Sequence, residues 1–181
     1  MIKRIDPGKT PYSELHHLFR FDSQQALERK KARLFPKGNS ESETSTVSIF
    51  LATLSAVKEF REELFLSLGI NKITNKNIQL HVFTELFNHT KESRPDGLIV
   101  ITSGKHSPLI EWAGFVEAKV KHEEIEKRQI ERYIDFSRDI GINDLITISN
   151  QLVTSPTDSP VKTDKRSFNL YHWSWAYIKV M

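Results

Sequence analysis

The chain has 181 residues, enough for one α/β domain with a sizeable core, and its 38% hydrophobic and 27% charged content is ordinary for a globular protein. It contains no cysteine, which excludes disulfides and thiolate metal centres, and no apolar run long enough for a signal h-region or a membrane span, so a cytoplasmic protein is expected. A net charge of +3 and a pI near 9.0 permit a nucleic-acid partner without requiring one.

Residues 11–35 read as a helical arm, with Leu15, Leu18, Phe19 and Leu27 at helical spacings and a break near Phe21-Asp22 dividing it into two short helices. Its end carries the densest cationic run: Arg29, Lys30, Lys31, Arg33 and Lys37. Such a run is either the solvated face of a surface helix or a nucleic-acid contact, with Lys30, Lys31 and Arg33 as the contact residues. The stretch 37–46 has no apolar residue and reads as a polar linker. Residues 1–40 are therefore taken as an arm and linker appended to a main domain at 41–181.

Thr44, Ser45 and Thr46 offer N-cap hydroxyls for one long amphipathic helix that ends at Leu68-Gly69. A strand is predicted over 78–87, with Ile78, Leu80, Val82 and Leu86 on one face and Gln79, His81 and Glu85 on the other. Pro95-Asp96-Gly97 punctuates the chain before the buried run Leu98–Ile101, and a further strand is predicted over 110–120. A helix over 122–140 stops at Gly141, and Leu145–Ile148 is another buried strand. After a Ser/Thr/Pro/Asp loop the last segment, 168–180, is strand-like, with Tyr171, Trp173, Trp175 and Tyr177 alternating along one face. That face is either packed beneath a helix or a platform on which bases stack. The order helix, three strands, helix, two strands predicts a mixed sheet flanked by helices, an αβββαβ core.

The strand Ile110-Glu-Trp-Ala-Gly-Phe-Val-Glu-Ala-Lys-Val120 carries the chemistry. A period of two puts Ile110, Trp112, Val116, Ala118 and Val120 on one face, and Glu117 with Lys119 on the other. Alone, such a pair also describes an exposed salt bridge. Asp96 stands at the mouth of the preceding strand, where a hairpin brings it towards Glu117. Two carboxylates held close need a shared proton or a cation between them, and Mg²⁺ suits hard oxygen ligands.

Pro95-Asp96 followed by Glu117-Ala118-Lys119 resembles the PD-(D/E)XK nuclease superfamily, whose restriction-endonuclease-like core has the αβββαβ order read above. Gln129 and Tyr133, four residues apart on the next helix, resemble the Gln-X-X-X-Tyr pattern of several of its branches. The resemblance covers roughly residues 44–150. It implies a Mg²⁺-dependent phosphodiesterase, with Mn²⁺ as a substitute, acting on DNA more readily than RNA in processing, repair or defence. Asp96, Glu117 and the Ala118 carbonyl would hold the metal. Lys119 would orient or deprotonate the attacking water, and Gln129 and Tyr133 would steady the site or touch the phosphate backbone. Members of the family often add a carboxylate from the first helix. Glu59, Glu62 and Glu63 are available there, and Glu85 on the first strand is the favoured alternative. The competing reading is a catalytically silent nuclease-like module that binds nucleic acid or protein. Whether the chain acts alone, as a homodimer or joined to a further domain is not legible in its residues, although its end at Met181 suggests the N-terminal piece of a longer protein.

Overall fold

Five runs of β-branched and aromatic residues pair into one sheet in the computed structural model, which describes residues 2–36, 42–86, 95–163 and 168–181. Strands β1 (Ile78–Thr84), β2 (Gly97–Ser103) and β3 (Leu109–Ala118) form an antiparallel meander. β4 (Asp144–Ser149) and β5 (Asn169–Ser174) then add in parallel, in the spatial order β1-β2-β3-β4-β5. The architecture is α/β: an open, mixed, five-stranded sheet flanked by helices. No helix among the described residues is long and apolar enough to cross a membrane.

Both faces of the sheet are covered, so its central strands are apolar throughout. On one face Ile99, Ile101, Trp112, Val116, Ile146, Ile148 and Trp173 meet helices α3 (Glu43–Ala56) and α4 (Lys58–Ser67). On the other, Leu98, Val100, Phe115 and Leu145 meet α5 (Lys127–Ile140) through Ile130, Tyr133 and Ile134. The short helices α1 (Leu15–Leu18) and α2 (Gln24–Glu28) lie on this second face as well. Ile5, Tyr12, Leu15, Phe19 and Leu27 are all buried in its core, and the Ile5 amide donates to the Ile140 carbonyl at 2.7 Å. Residues 2–36 are thus built into the domain, because their apolar side chains complete a face that α5 alone leaves open. The two-helix division near Phe21 is observed; Arg20 there has a positive φ of 56°.

Four local expectations are corrected. The helix drawn over 44–68 breaks at Val57, which is extended at its C-cap. An unbroken helix would carry Arg61 on the stripe of Leu54 and Phe65; with the break, its guanidinium donates to the Ser55 carbonyl at 2.9 Å and caps α3. The first strand ends at Thr84 because Glu85 adopts a positive φ of 55°, and Leu86 turns into the opposite core from Val82. A register shift between β2 and β3 leaves Glu111 as the extra residue, so Ile110 joins the face opposite Trp112. Finally, Ser174 caps a terminal helix, α6 (Trp175–Val180), by accepting from the Tyr177 amide. The aromatic alternation stops there. Trp173 is fully buried edge-on to Phe50 and Phe65, with Tyr171, Trp175 and Tyr177 packed around the same core.

Candidate active site

The antiparallel register pairs Gly97 with Val116, so the residue before β2 lies opposite the one after Val116: Asp96 faces Glu117. Asp96 Oδ2 accepts from the Ala118 amide at 2.8 Å. Lys119 follows the end of β3, and its amide still donates to the Ile148 carbonyl at 2.7 Å, which extends the parallel ladder. Its carbonyl accepts from Trp175 Nε1 at 2.8 Å. The Glu-Ala-Lys backbone is therefore tied to β2, β4 and α6 at once.

Glu117 is only 1% exposed. Its Oε1 accepts from Lys119 Nζ at 2.8 Å and from Gln129 Nε2 at 2.7 Å. Gln129 also donates to the Tyr133 hydroxyl at 2.8 Å. The four-residue spacing on α5 puts amide and phenol on one face, above the carboxylate. The pattern singled out in the sequence thus surrounds Glu117, and Tyr133, 2% exposed, steadies it from inside the core.

One carboxylate had been missed. Glu43, in the first turn of α3, brings Oε1 within 3.5 Å of Lys119 Nζ. The available signal was Ser42-Glu43 followed by Ser45, an N-cap serine with an acidic first turn, and it fell inside the stretch read as linker. The other acidic candidates sit elsewhere. Glu59, Glu62 and Glu63 lie on α4 beyond the break, with Glu62 paired to Lys58 at 3.7 Å. Glu85 pairs with Lys30 at 3.8 Å.

Three carboxylates share one ammonium here, and the proton affinities of Asp96, Glu117 and Lys119 respond. Burial, then the charge of Glu117, pushes Asp96 up to about 8 against the opposing Ala118 amide. Burial also raises Glu117, although Lys119 and Tyr133 stabilise its charged form. For Lys119 burial works against the charge, but the hydrogen bond and charge of Glu117, with Glu43 and Asp96, raise its pKa.

Among the described residues no three His, Asp or Glu side chains already converge as a metal cage. The donors nevertheless suit a hard cation. Glu117 Oε2 is buried with no hydrogen-bond partner, beside a carboxyl group that burial and repulsion drive towards protonation. A divalent ion held by Asp96 and Glu117, with the Ala118 carbonyl, would satisfy that oxygen and remove the repulsion.

Lys30, Lys31 and Arg33 fall on the extended segment after α2, not on a helix face. The segment is hooked to β1 by the Ala32 amide on the Val82 carbonyl (3.0 Å) and the Thr84 amide on the Lys30 carbonyl (2.9 Å).

No protein-family model, curated protein or solved structure matches this chain, so the chemistry of these side chains carries the functional reading.

Proposed function

We propose that this chain is a metal-dependent nuclease with a restriction-endonuclease-like αβββαβ core, which hydrolyses phosphodiester bonds of DNA with Mg²⁺, or Mn²⁺ in its place. The observation that carries the reading is the meeting of Asp96, Glu117 and Lys119 around a buried carboxylate oxygen without a partner. Gln129 and Tyr133, bonded to one another and gathered on Glu117, add to it.

A cation held there would supply Lewis-acid polarisation of a phosphate oxygen and a lowered pKa for bound water. The protein's own contributions follow from the geometry. Asp96 and Glu117 hold opposite sides of the site, and their strands fix the spacing. Lys119, clamped between Glu117 and Glu43, keeps its proton. It is placed to act as a donor that orients the nucleophilic water and offsets charge on the transferring phosphoryl group. Gln129 and Tyr133 orient Glu117 from the core side, where Tyr133 is too buried to touch a phosphate backbone.

Titration with Mn²⁺, followed by calorimetry, tests the site without assuming a substrate. Uptake by the native chain that is lost in Asp96→Ala supports the nuclease. No uptake would leave a silent, nuclease-like binding module.

A further inference from the structure

Beside the site, Arg29, Lys30, Lys31 and Arg33 line a cleft of about 480 Å³ together with Ser45 and, as the one carboxylate among the described residues, Glu85. We propose that this cleft receives an unpaired stretch of the DNA substrate, with its phosphates on the four cations and one base stacked on Phe35; the inference rests on the nuclease reading and names the form of its substrate.

Charge and anchoring make the first half of the case. Among the described residues four cations face one carboxylate, and that carboxylate pairs with Lys30 at 3.8 Å. Lys31 is paired with Glu28, and among the described residues Arg29 and Arg33 have no ion pair. Arg33 is held firmly at its backbone: Ser48 Oγ accepts from its amide at 2.8 Å and donates to its carbonyl at 3.1 Å. The cations are thus fixed to α3 and β1, as a track for a polyanion requires.

Phe35 makes the second half. It stands between Arg33 and Pro36, both lining residues, yet it is 90% exposed. An aromatic residue of that size left in water beside a cationic cleft matches the way unpaired strands are held, with cations tracking the backbone and rings stacking on bases. A duplex keeps its base faces stacked internally and offers such a ring nothing. The cleft and the catalytic carboxylates share one turn of helix. Ser42, Thr44 and Ser45 line the cleft, while Glu43 between them reaches Lys119. A strand lying in the cleft therefore passes within one residue of the carboxylate that touches Lys119.

The test is fluorescence anisotropy of a labelled twelve-nucleotide thymidine strand and of a blunt duplex of equal length, with chelator present so that neither is cut. Tighter binding of the single strand is expected. Phe35→Ala should weaken it about fivefold or more, and Phe35→Trp should restore it. Arg29→Ala with Arg33→Ala should lower the dependence of log affinity on log salt by about 1.4. Phe35 is so exposed that its variants keep the fold. Equal affinity for both probes, indifferent to Phe35, would overturn the inference even if the native chain cuts duplex DNA with Mg²⁺. Stacking on Phe35 without metal-dependent cutting would uphold it and sink the nuclease reading instead.

Discussion

Asp96 accepts a hydrogen bond of 2.8 Å from the amide of Ala118, the residue between Glu117 and Lys119. That one bond joins the mouth of β2 to the end of β3 and brings the half-buried Asp96 and the buried Glu117 to the same point. Their repulsion is relieved by a proton or by a cation, and the choice depends on pH.

Without metal, Asp96 holds a proton up to about pH 8, whereas an unfolded aspartate releases it near 3.8. A carboxyl group whose pKa is raised by folding stabilises the fold below the unfolded value, and loses that contribution as pH rises through the folded one. The Asp96 contribution to the melting temperature of the chelated protein is therefore expected to fall between pH 4 and pH 8, read as the difference between the native chain and Asp96→Asn. Mn²⁺ should raise the native melting temperature most at the alkaline end. Asp96→Asn should flatten that Mn²⁺ trend in thermal melts, and a difference that does not change with pH would count against the coupling.

His81 works in the opposite direction. It stacks on Tyr12 with ring centroids 4.0 Å apart, and its Nε2 lies 3.0 Å from Thr102 Oγ1. Burial, with Lys31 adding to it, lowers its pKa from 6.5 to about 4. A depressed histidine contributes stability above its unfolded pKa, and this is lost as pH falls through the folded one. The His81 contribution should thus be lost between pH 6.5 and pH 4, read as a stability difference between native protein and His81→Gln that shrinks over that interval.

Gln129→Leu removes the amide that donates to both Glu117 Oε1 and Tyr133. The Glu117 carboxylate keeps Lys119 but loses its alignment from α5. Affinity for Mn²⁺ or the cleavage rate should drop about 10- to 100-fold, as is usual when the group orienting a ligand is lost. The KM for DNA should stay close to native, because Gln129 does not face the cleft; a change confined to KM would contradict this role.

Gly97 follows Asp96, and a Cβ there would meet Leu51 Cδ1 at 2.5 Å and the Phe83 carbonyl oxygen at 3.1 Å. Gly97→Ala is expected to cost about 1–3 kcal/mol by overpacking the core. Because the strain falls at the root of Asp96, Mn²⁺ affinity should fall with it, which paired denaturation and metal titrations would reveal.

The sheet and the gathering of the site's side chains at the end of β3 were legible because period-two alternation and the Pro-Asp and Glu-Ala-Lys pairs are local signals. Asp96, Glu117, Lys119, Gln129 and Tyr133 do come together, as their order along the chain implied. Features that depend on one residue's backbone were not legible. The positive φ of Glu85 ends β1 and sends that carboxylate to Lys30, and the extra residue Glu111 reverses the side of Ile110. Glu43 was hidden by composition, since a polar run with an N-cap inside it looks like a linker until a helix is seen to start there. The N-terminal segment looked like an appendage because its apolar residues are sparse. Its place in the core follows from a sheet face that α5 leaves partly bare, a tertiary fact with no local trace.

The most direct measurement is cleavage of labelled single- and double-stranded DNA, with RNA in parallel, in Mg²⁺, Mn²⁺ or EDTA, comparing the native chain with Lys119→Ala. Cutting of DNA that requires the metal, and falls by about 100-fold or more in the variant, is the expected result. Cutting that persists in EDTA or survives Lys119→Ala would contradict the assignment of the site, and native protein that never cuts under any of these conditions would contradict the enzyme.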